Sequence, residues 1–254
     1  MTSIAGVDIA RHGQENCVNR RTRWILSALA VPLVLLTGYG VSWVGQAPAQ
    51  QAAAVVGTVG EYPSMTALRK VEEEGVAYDL TWTITSSPLI VVAPHGGAIE
   101  LRTSEIVSAI AGTEHTQCQF KGKLPAGQNF PRLHVTSERW DVEECLILIG
   151  QRTHALSIHG TSKASKIAYV GGRDTATGVE LATALRAAGF TVVQPAPADI
   201  AGTSVNNFVN KDADGAGVQL ELTTDLRMEL FPTKDGPPSA RGQAFVDAVR
   251  SVYF

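Results

Sequence analysis

The sequence predicts an α/β domain with an open sheet, parallel or mixed, flanked by helices and preceded by a separate N-terminal apolar segment. Three observations carry this. Short apolar or alternating runs are spaced by segments of helical period, the pattern of strands separated by helices. Leu89-Ile90-Val91-Val92-Ala93 is continuously apolar, as in a strand buried on both faces. No charged residue occurs between Arg23 and Glu61. The chain has 254 residues, with 44% hydrophobic and 18% charged residues and a mean hydropathy of +0.06. That suffices for one sizeable domain and excludes a disordered chain. Three cysteines exclude a disulfide-rich scaffold or a four-cysteine metal site. The net charge of −3 and pI near 6.1 give no basic footprint for nucleic acid.

The elements follow in order. Residues 1–23 form a basic n-region with Arg11, Arg20, Arg21 and Arg23. Residues 24–45 are apolar and, at about 1.5 Å per residue, just long enough to span a bilayer. The preceding arginines should keep the N-terminus cytoplasmic and send the rest out. Two readings stand. One is a signal peptide cleaved near Ala49, since Ala47 and Ala49 fit an A-x-A site before Gln50 and Ala52 and Ala54 offer a second. The other is a retained membrane anchor, favoured by the length and by Trp24 and Trp43 near its ends. Arg20-Arg21 suggests a twin-arginine route, although Arg23 stands where an apolar residue is usual. Residues 46–59 read as a linker and residues 60–254 as the folded domain.

Within the domain, Ser64 can cap a helix with Met65, Leu68 and Val71 on one face. Residues 80–85 alternate as a half-buried strand, and 89–93 form the buried one. Thr103 can cap a helix with Glu105 in its first turn and Ile106, Val107 and Ile110 inward. Residues 133–136 are a strand candidate, 142–151 a helix, and 155–158 and 167–170 strands. Residues 178–188 form the clearest helix, stopped by Gly189. Strands 191–193 and 218–222 and a last helix with Phe245, Val249 and Val252 complete the order. Cys118 and Cys145 either pair as a disulfide, which an exported domain permits, or stay as two small buried hydrophobes.

The residues suited to chemistry sit at strand ends. His95 follows the buried strand, and Gly96-Gly97 let the chain fold back so that Glu100 returns beside it. In Leu156-Ser157-Ile158-His159-Gly160, Ser157 and His159 face away from Leu156 and Ile158. Two histidines and a carboxylate make a set that leaves a fourth zinc position open. In Val218-Gln219-Leu220-Glu221-Leu222, Gln219 and Glu221 share the polar face. Glu221 is then either a general base near a metal or part of the exposed face of an edge strand. Arg227, Arg173 and Lys163 are candidates for holding a substrate carboxylate.

From about residue 60 to 254 the chain resembles the poly-γ-glutamate hydrolase family of phage- and prophage-encoded zinc enzymes. The resemblance rests on Ala93-Pro94-His95-Gly96-Gly97-Ala98-Ile99-Glu100, Thr103-Ser104-Glu105-Ile106, Leu133-His134-Val135-Thr136-Ser137 and Ser157-Ile158-His159-Gly160. It continues through Gly171-Gly172-Arg173-Asp174, Asn207-Phe208-Val209-Asn210 and Gly217-Val218-Gln219-Leu220-Glu221-Leu222, with Arg227 completing the last. It implies an open mixed core like that of zinc carboxypeptidases, zinc on His95, Glu100 and His159, and Glu221 as the base. His134 and Gln219 are expected to support the site, the ligand set being complete without them. Asn207 and Lys211 join the substrate-binding candidates; the family often has Arg where Lys211 stands, and Lys keeps the charge without the bidentate fork. The expected protein is an exported, monomeric zinc hydrolase of γ-glutamyl amide bonds, acting on poly-γ-glutamate. The alternatives are a peptidase of γ-glutamyl links in cell-wall peptides and a non-catalytic surface protein. Without residues 1–23 the charge is −5, so a polyanionic substrate needs locally clustered cations.

Overall fold

The computed structural model describes residues 62–163 and 165–253. The n-region, the apolar segment and the linker lie outside the described residues. Among the described residues no helix is long and apolar enough to cross a membrane.

Seven strands form one mixed sheet: β1 (Tyr78–Thr83), β2 (Leu89–Gly97), β3 (Thr116–Gly122), β4 (His154–Thr161), β5 (Ile167–Gly172), β6 (Thr191–Val193) and β7 (Val218–Thr223). Their order is β1-β3-β2-β4-β7-β5-β6. β3, β2, β4 and β7 run parallel, while β1 is antiparallel to β3 and β5 antiparallel to β7. The helices are α1 (Met65–Leu68), α2 (Thr103–Ala111), α3 (Asn129–Leu133), α4 (Glu143–Gly150), α5 (Thr175–Ala187), α6 (Thr224–Leu230) and α7 (Ala240–Arg250).

Alternation along the strands builds two cores. Leu89, Val91, Leu156, Ile158, Leu220 and Leu222 pack on one face under α2, α5, α6 and α7. Ile90, Val92, Ala155, Cys118 and Phe120 pack on the other, with Leu68, Leu133, Trp140, Ile149 and Phe208. Cys118 of β3 and Cys145 of α4 are joined by a disulfide, which ties the sheet to its covering helix.

Several local expectations need correction. Ser64 does cap α1, accepting from the Ala67 N–H at 3.2 Å, but Val71 lies beyond the helix and is exposed. Thr103 does not cap α2, because its hydroxyl donates to the Glu100 carbonyl at 2.8 Å, and Arg102 takes the cap position in a left-handed conformation. Residues 133–136 are not a strand. Leu133 ends α3, whose Pro131 is tolerated in the first turn, where its missing N–H would have no helical partner. β7 is not an edge strand but lies between β4 and β5, buried throughout.

Candidate active site

From β2 the chain crosses to β3 on one side and later returns as β4 on the other. A cleft forms where strand order reverses in this way, at the carboxyl ends of the parallel strands. Here the reason is visible in the pairing. The β2–β4 ladder ends at Val92 and Ser157, although both strands continue. The Gly160 N–H, left without a strand partner, donates to Glu100 Oε2 at 2.7 Å. The carboxylate thus occupies the opening between the strands.

Strict alternation would put His95 on the same face as Ala93, away from His159. A bulge between Ala93 and Gly96 breaks that register against β3. One extra residue in a strand re-aims the side chains that follow. His95 and His159 then meet edge to face, with ring centroids 5.1 Å apart. Trp140 pins the bulge by donating its indole N–H to the Pro94 carbonyl at 3.1 Å. Gly97, at φ +64, turns the chain back, and the Glu100 N–H closes the turn on the His95 carbonyl at 2.9 Å.

The segment read as a strand instead wraps the site. His95 Nε2 lies 2.8 Å from the Val135 carbonyl, and His159 Nε2 lies 3.4 Å from Ser137 Oγ. Both histidines therefore present Nδ1 inward. A carbonyl only accepts, so His95 carries its proton on Nε2. Its Nδ1 lone pair then faces Glu100 Oε1 at 3.0 Å. Two acceptors at that distance require a positive charge between them, from a second proton or a metal cation. His159 Nδ1 stands 3.9 Å from Glu100 Oε2 and 4.0 Å from Glu221 Oε1. His159 and Glu221 are register partners on adjacent strands.

His134 comes closer than the sequence suggested. Its Nε2 is 3.5 Å from Glu100 Oε1, and His95, Glu100 and His134 offer donor atoms all within 4.8 Å of one another. Its ring also stacks on Phe130 at the cleft edge, 4.4 Å between centroids. Among the described residues, His95, Glu100 and His134 are the trio whose donor atoms lie that close; His159 approaches it through Glu100 Oε2, at 3.9 Å.

Burial shapes the electrostatics. It opposes charge on Glu100, but the neighbouring histidines outweigh it and hold that carboxyl below its usual range. Burial pushes His159 down to about 3 and lowers His134 as well. Burial, then the nearby Glu100, raises Glu221 well above the ordinary carboxyl range. A buried carboxyl of high proton affinity beside a potential metal site can take up and return a proton.

The cleft has a volume of about 560 Å³ and is walled by residues 134–138 on one side and 198–207 on the other. Of the proposed substrate-binding cations, Arg227 and Lys163 are near it. Arg227 is buried and lines a side cavity of about 210 Å³ that shares Glu100, Phe130 and Gly160 with the cleft. It donates to the Leu222 carbonyl, the Leu101 carbonyl and Thr224 Oγ1. Lys163 pairs with Asp199 at the rim, 2.9 Å apart. Arg173 is not brought to the cleft. β5 runs antiparallel to β7, so its end at Gly172 lies beside Val218, at the opposite end of β7 from Glu221. Lys211 faces a separate groove with Arg139 and Trp140. Asn207 reaches the cleft wall, but its amide contacts Gln219.

The comparisons agree with this architecture. A sequence model of the poly-gamma-glutamate hydrolase family matches residues 62–248. The chain is 30% identical over 184 residues to the SPbeta prophage-derived UPF0714 protein YoqZ of Bacillus subtilis (strain 168), covering 71% of this chain and 66% of that protein. It is 34% identical over 163 residues to UPF0714 protein YndL of the same organism, covering 64% of each. The chain thus spans about two thirds of the length of these relatives. Among solved structures, a bacteriophage poly-gamma-glutamate hydrolase matches with a TM-score of 0.71 and 29% identity, covering 75% of this chain and 95% of that one. YndL in an apo, zinc-free form matches with a TM-score of 0.70, also at 29% identity, covering 75% and 96%.

Proposed function

We propose that this chain, which belongs to the poly-γ-glutamate hydrolase family, is a zinc-dependent hydrolase that cleaves amide bonds formed by the γ-carboxyl of glutamate in poly-γ-glutamate. The observation that carries the reading is the convergence of His95, Glu100 and His159 with the buried carboxyl of Glu221 in an open cleft. The inward Nδ1 atoms of His95 and His159, each backed by a partner on Nε2, and the carboxylate of Glu100 fit zinc. The zinc-free form of YndL supports that choice of ion. His134 flanks this set from the cleft edge. Zinc held there supplies Lewis acidity for attack on an amide carbonyl.

The remaining steps belong to side chains. Glu221 takes a proton from the attacking water as the carbonyl carbon gains its oxygen. The C–N bond breaks and Glu221 returns the proton to the leaving amine, so one water is consumed and the carboxylate regenerated. Arg227, beside the side cavity, suits the free carboxylate that each γ-linked residue carries. We assign export to residues 24–45, by cleavage near Ala49 or by anchoring, and the first residue of the mature chain tells the two apart.

The test is zinc analysis of the full chain together with release of free amines from poly-γ-glutamate. Glu221→Gln should retain zinc and lose about 10²–10⁴-fold in kcat. Near-normal turnover in that variant would overturn the role of Glu221, and a fully active metal-free enzyme would overturn zinc dependence.

A further inference from the structure

We propose that Asn207 is a positioning residue for the proton-transfer step, acting on Glu221 through the side-chain amide of Gln219. The inference rests on the reading of Glu221 as the base. Asn207 precedes the short 3-10 helix Phe208–Lys211, on a different element from β7. Its Oδ1 accepts the Val209 N–H at 3.1 Å, which identifies Nδ2 as the end that faces the cleft wall. Nδ2 donates to Gln219 Oε1 at 2.8 Å, and Gln219 Nε2 donates to Glu221 Oε1 at 2.9 Å. Gln219 Nε2 also reaches the Ile200 carbonyl at 3.3 Å. All three side chains are buried.

The Gln219 amide has only one satisfied orientation. Turned over, its nitrogen would face the Asn207 donor, and its oxygen would face the Glu221 carboxylate and the Ile200 carbonyl. Buried amides do not tolerate such pairings, and a fully satisfied network holds its members rigidly. Asn207 therefore decides that Glu221 Oε1, the oxygen 4.0 Å from His159 Nδ1, receives a hydrogen bond that fixes where it points. It also links the cleft wall at residues 200–207 to the aim of the base. This accounts for an asparagine that lines the cleft yet directs its amide into the protein.

Asn207→Asp tests the relay with almost no change of shape. Aspartate keeps the acceptor for Val209 but loses the donor to Gln219. The Gln219 oxygen then faces a carboxylate, and turning the amide would set that oxygen against Glu221 and the Ile200 carbonyl, so neither orientation is satisfied and the amide no longer holds Glu221 in one place. The expected result is a kcat lower by about 10–100-fold, the range for small misplacements of reacting groups. KM should hold within about twofold and zinc content should match the parent; the buried carboxylate, which faces the Gln219 oxygen and the Gly202 carbonyl, lowers Tm, so kcat is compared well below both midpoints. Gln219→Met removes the relay from its other end and should reproduce the same split between kcat and KM. In the Gln219→Met background, Asn207→Asp should add less than about threefold, because its effect passes through the missing amide. Equal losses in both backgrounds, or normal kcat in Asn207→Asp, would overturn the inference. Glu221→Gln separates the two failures. An inactive Glu221→Gln beside a fully active Asn207→Asp refutes the relay alone, while an active Glu221→Gln refutes the base itself.

Discussion

Gly160→Ala puts one methyl group where the structure has no room for it. The new Cβ would lie 2.5 Å from Arg227 Cζ and 2.7–2.8 Å from its two Nη atoms. Ordinary contact begins near 3.4 Å, so the guanidinium must retreat by about 0.9 Å. A surface arginine would simply swing aside. Arg227 is only 4% exposed and donates to three fixed acceptors, on Leu222, Leu101 and Thr224. Overpacking of this kind costs about 1–3 kcal/mol, and each charge-assisted bond lost adds about 1.5–3 kcal/mol. We expect a loss of about 2–5 kcal/mol, which in a domain of this size lowers Tm by roughly 5–15 °C. If Arg227 also holds a substrate carboxylate, KM should rise about tenfold or more while kcat changes less, because the Gly160 N–H still reaches Glu100. Calorimetry and steady-state kinetics on poly-γ-glutamate measure both. Gly160→Ala combined with Arg227→Lys should recover part of the Tm without recovering KM, since the narrower ammonium relieves the clash without restoring the fork. A Tm within about 2 °C of the parent and an unchanged KM would refute the packing argument and the binding role together.

The two possible ligand sets make different predictions for metal analysis: His95→Ala and His159→Ala should lose zinc, whereas His134→Ala should keep it. Zinc lost only from His134→Ala among the two alternatives would move the third ligand to that residue. Reduction of the Cys118–Cys145 bridge, with a sequence separation of 27, should destabilise the domain by about 3.5 kcal/mol through loop entropy. Thermal unfolding with and without reductant under mild denaturant measures this, and identical midpoints after complete reduction would refute it. In the metal-free protein, His159 has its affinity for protons lowered to about 3, whereas the unfolded chain takes up that proton near 6.5. At this group the unfolded state therefore binds more protons between these values, and its contribution to stability falls as pH drops below 6.5 toward 3. Glu221, raised in the folded state, acts in the opposite sense, so the effect is read in Glu221→Gln, where the loss from pH 7 to pH 5 is about 2 kcal/mol by urea midpoints. Equal midpoints in that variant would show that His159 is not buried in its neutral form.

The parts of the site on regular strands were legible in the sequence, because period-2 alternation assigns a face to each residue. His159 and Glu221 fall opposite Ile158 and Leu220 in the sequence and in the structure. His95 is different. Alternation alone would have turned it away, and only the bulge between Ala93 and Gly96 brings it in. A bulge is a defect in pairing, so no residue spacing within β2 announces it. β3 carries no clear signal because, opposite the face of Cys118 and Phe120, it buries Gln119, whose amide nitrogen donates to Ser108 and Gln117. Residues 133–136 suggest a strand because Leu133-His134-Val135 alternates, but they are the end of α3 and the irregular segment that follows it. Arg173 was misplaced for a reason that local sequence does not contain. Its motif is family-like, but the direction of β5 relative to β7 decides at which end of the sheet it stands.

The hydrogen bond from the Gly160 backbone to Glu100 has a practical consequence for anyone who needs a silent version of this protein. Glu100 stands in for the neighbouring strand where the sheet parts, so it is masonry as well as chemistry. Replacing it with alanine would strip a half-buried amide of its acceptor, at about 1 kcal/mol or more, and let the seam between β2 and β4 loosen. Such a variant would be inert partly because it is misshapen. Glu221 is held by a side-chain amide and bears no part of the sheet's own ladder through its carboxyl. A decoy intended to grip the proposed polymer without cutting it should therefore be made at Glu221, with the mouth of the sheet left intact.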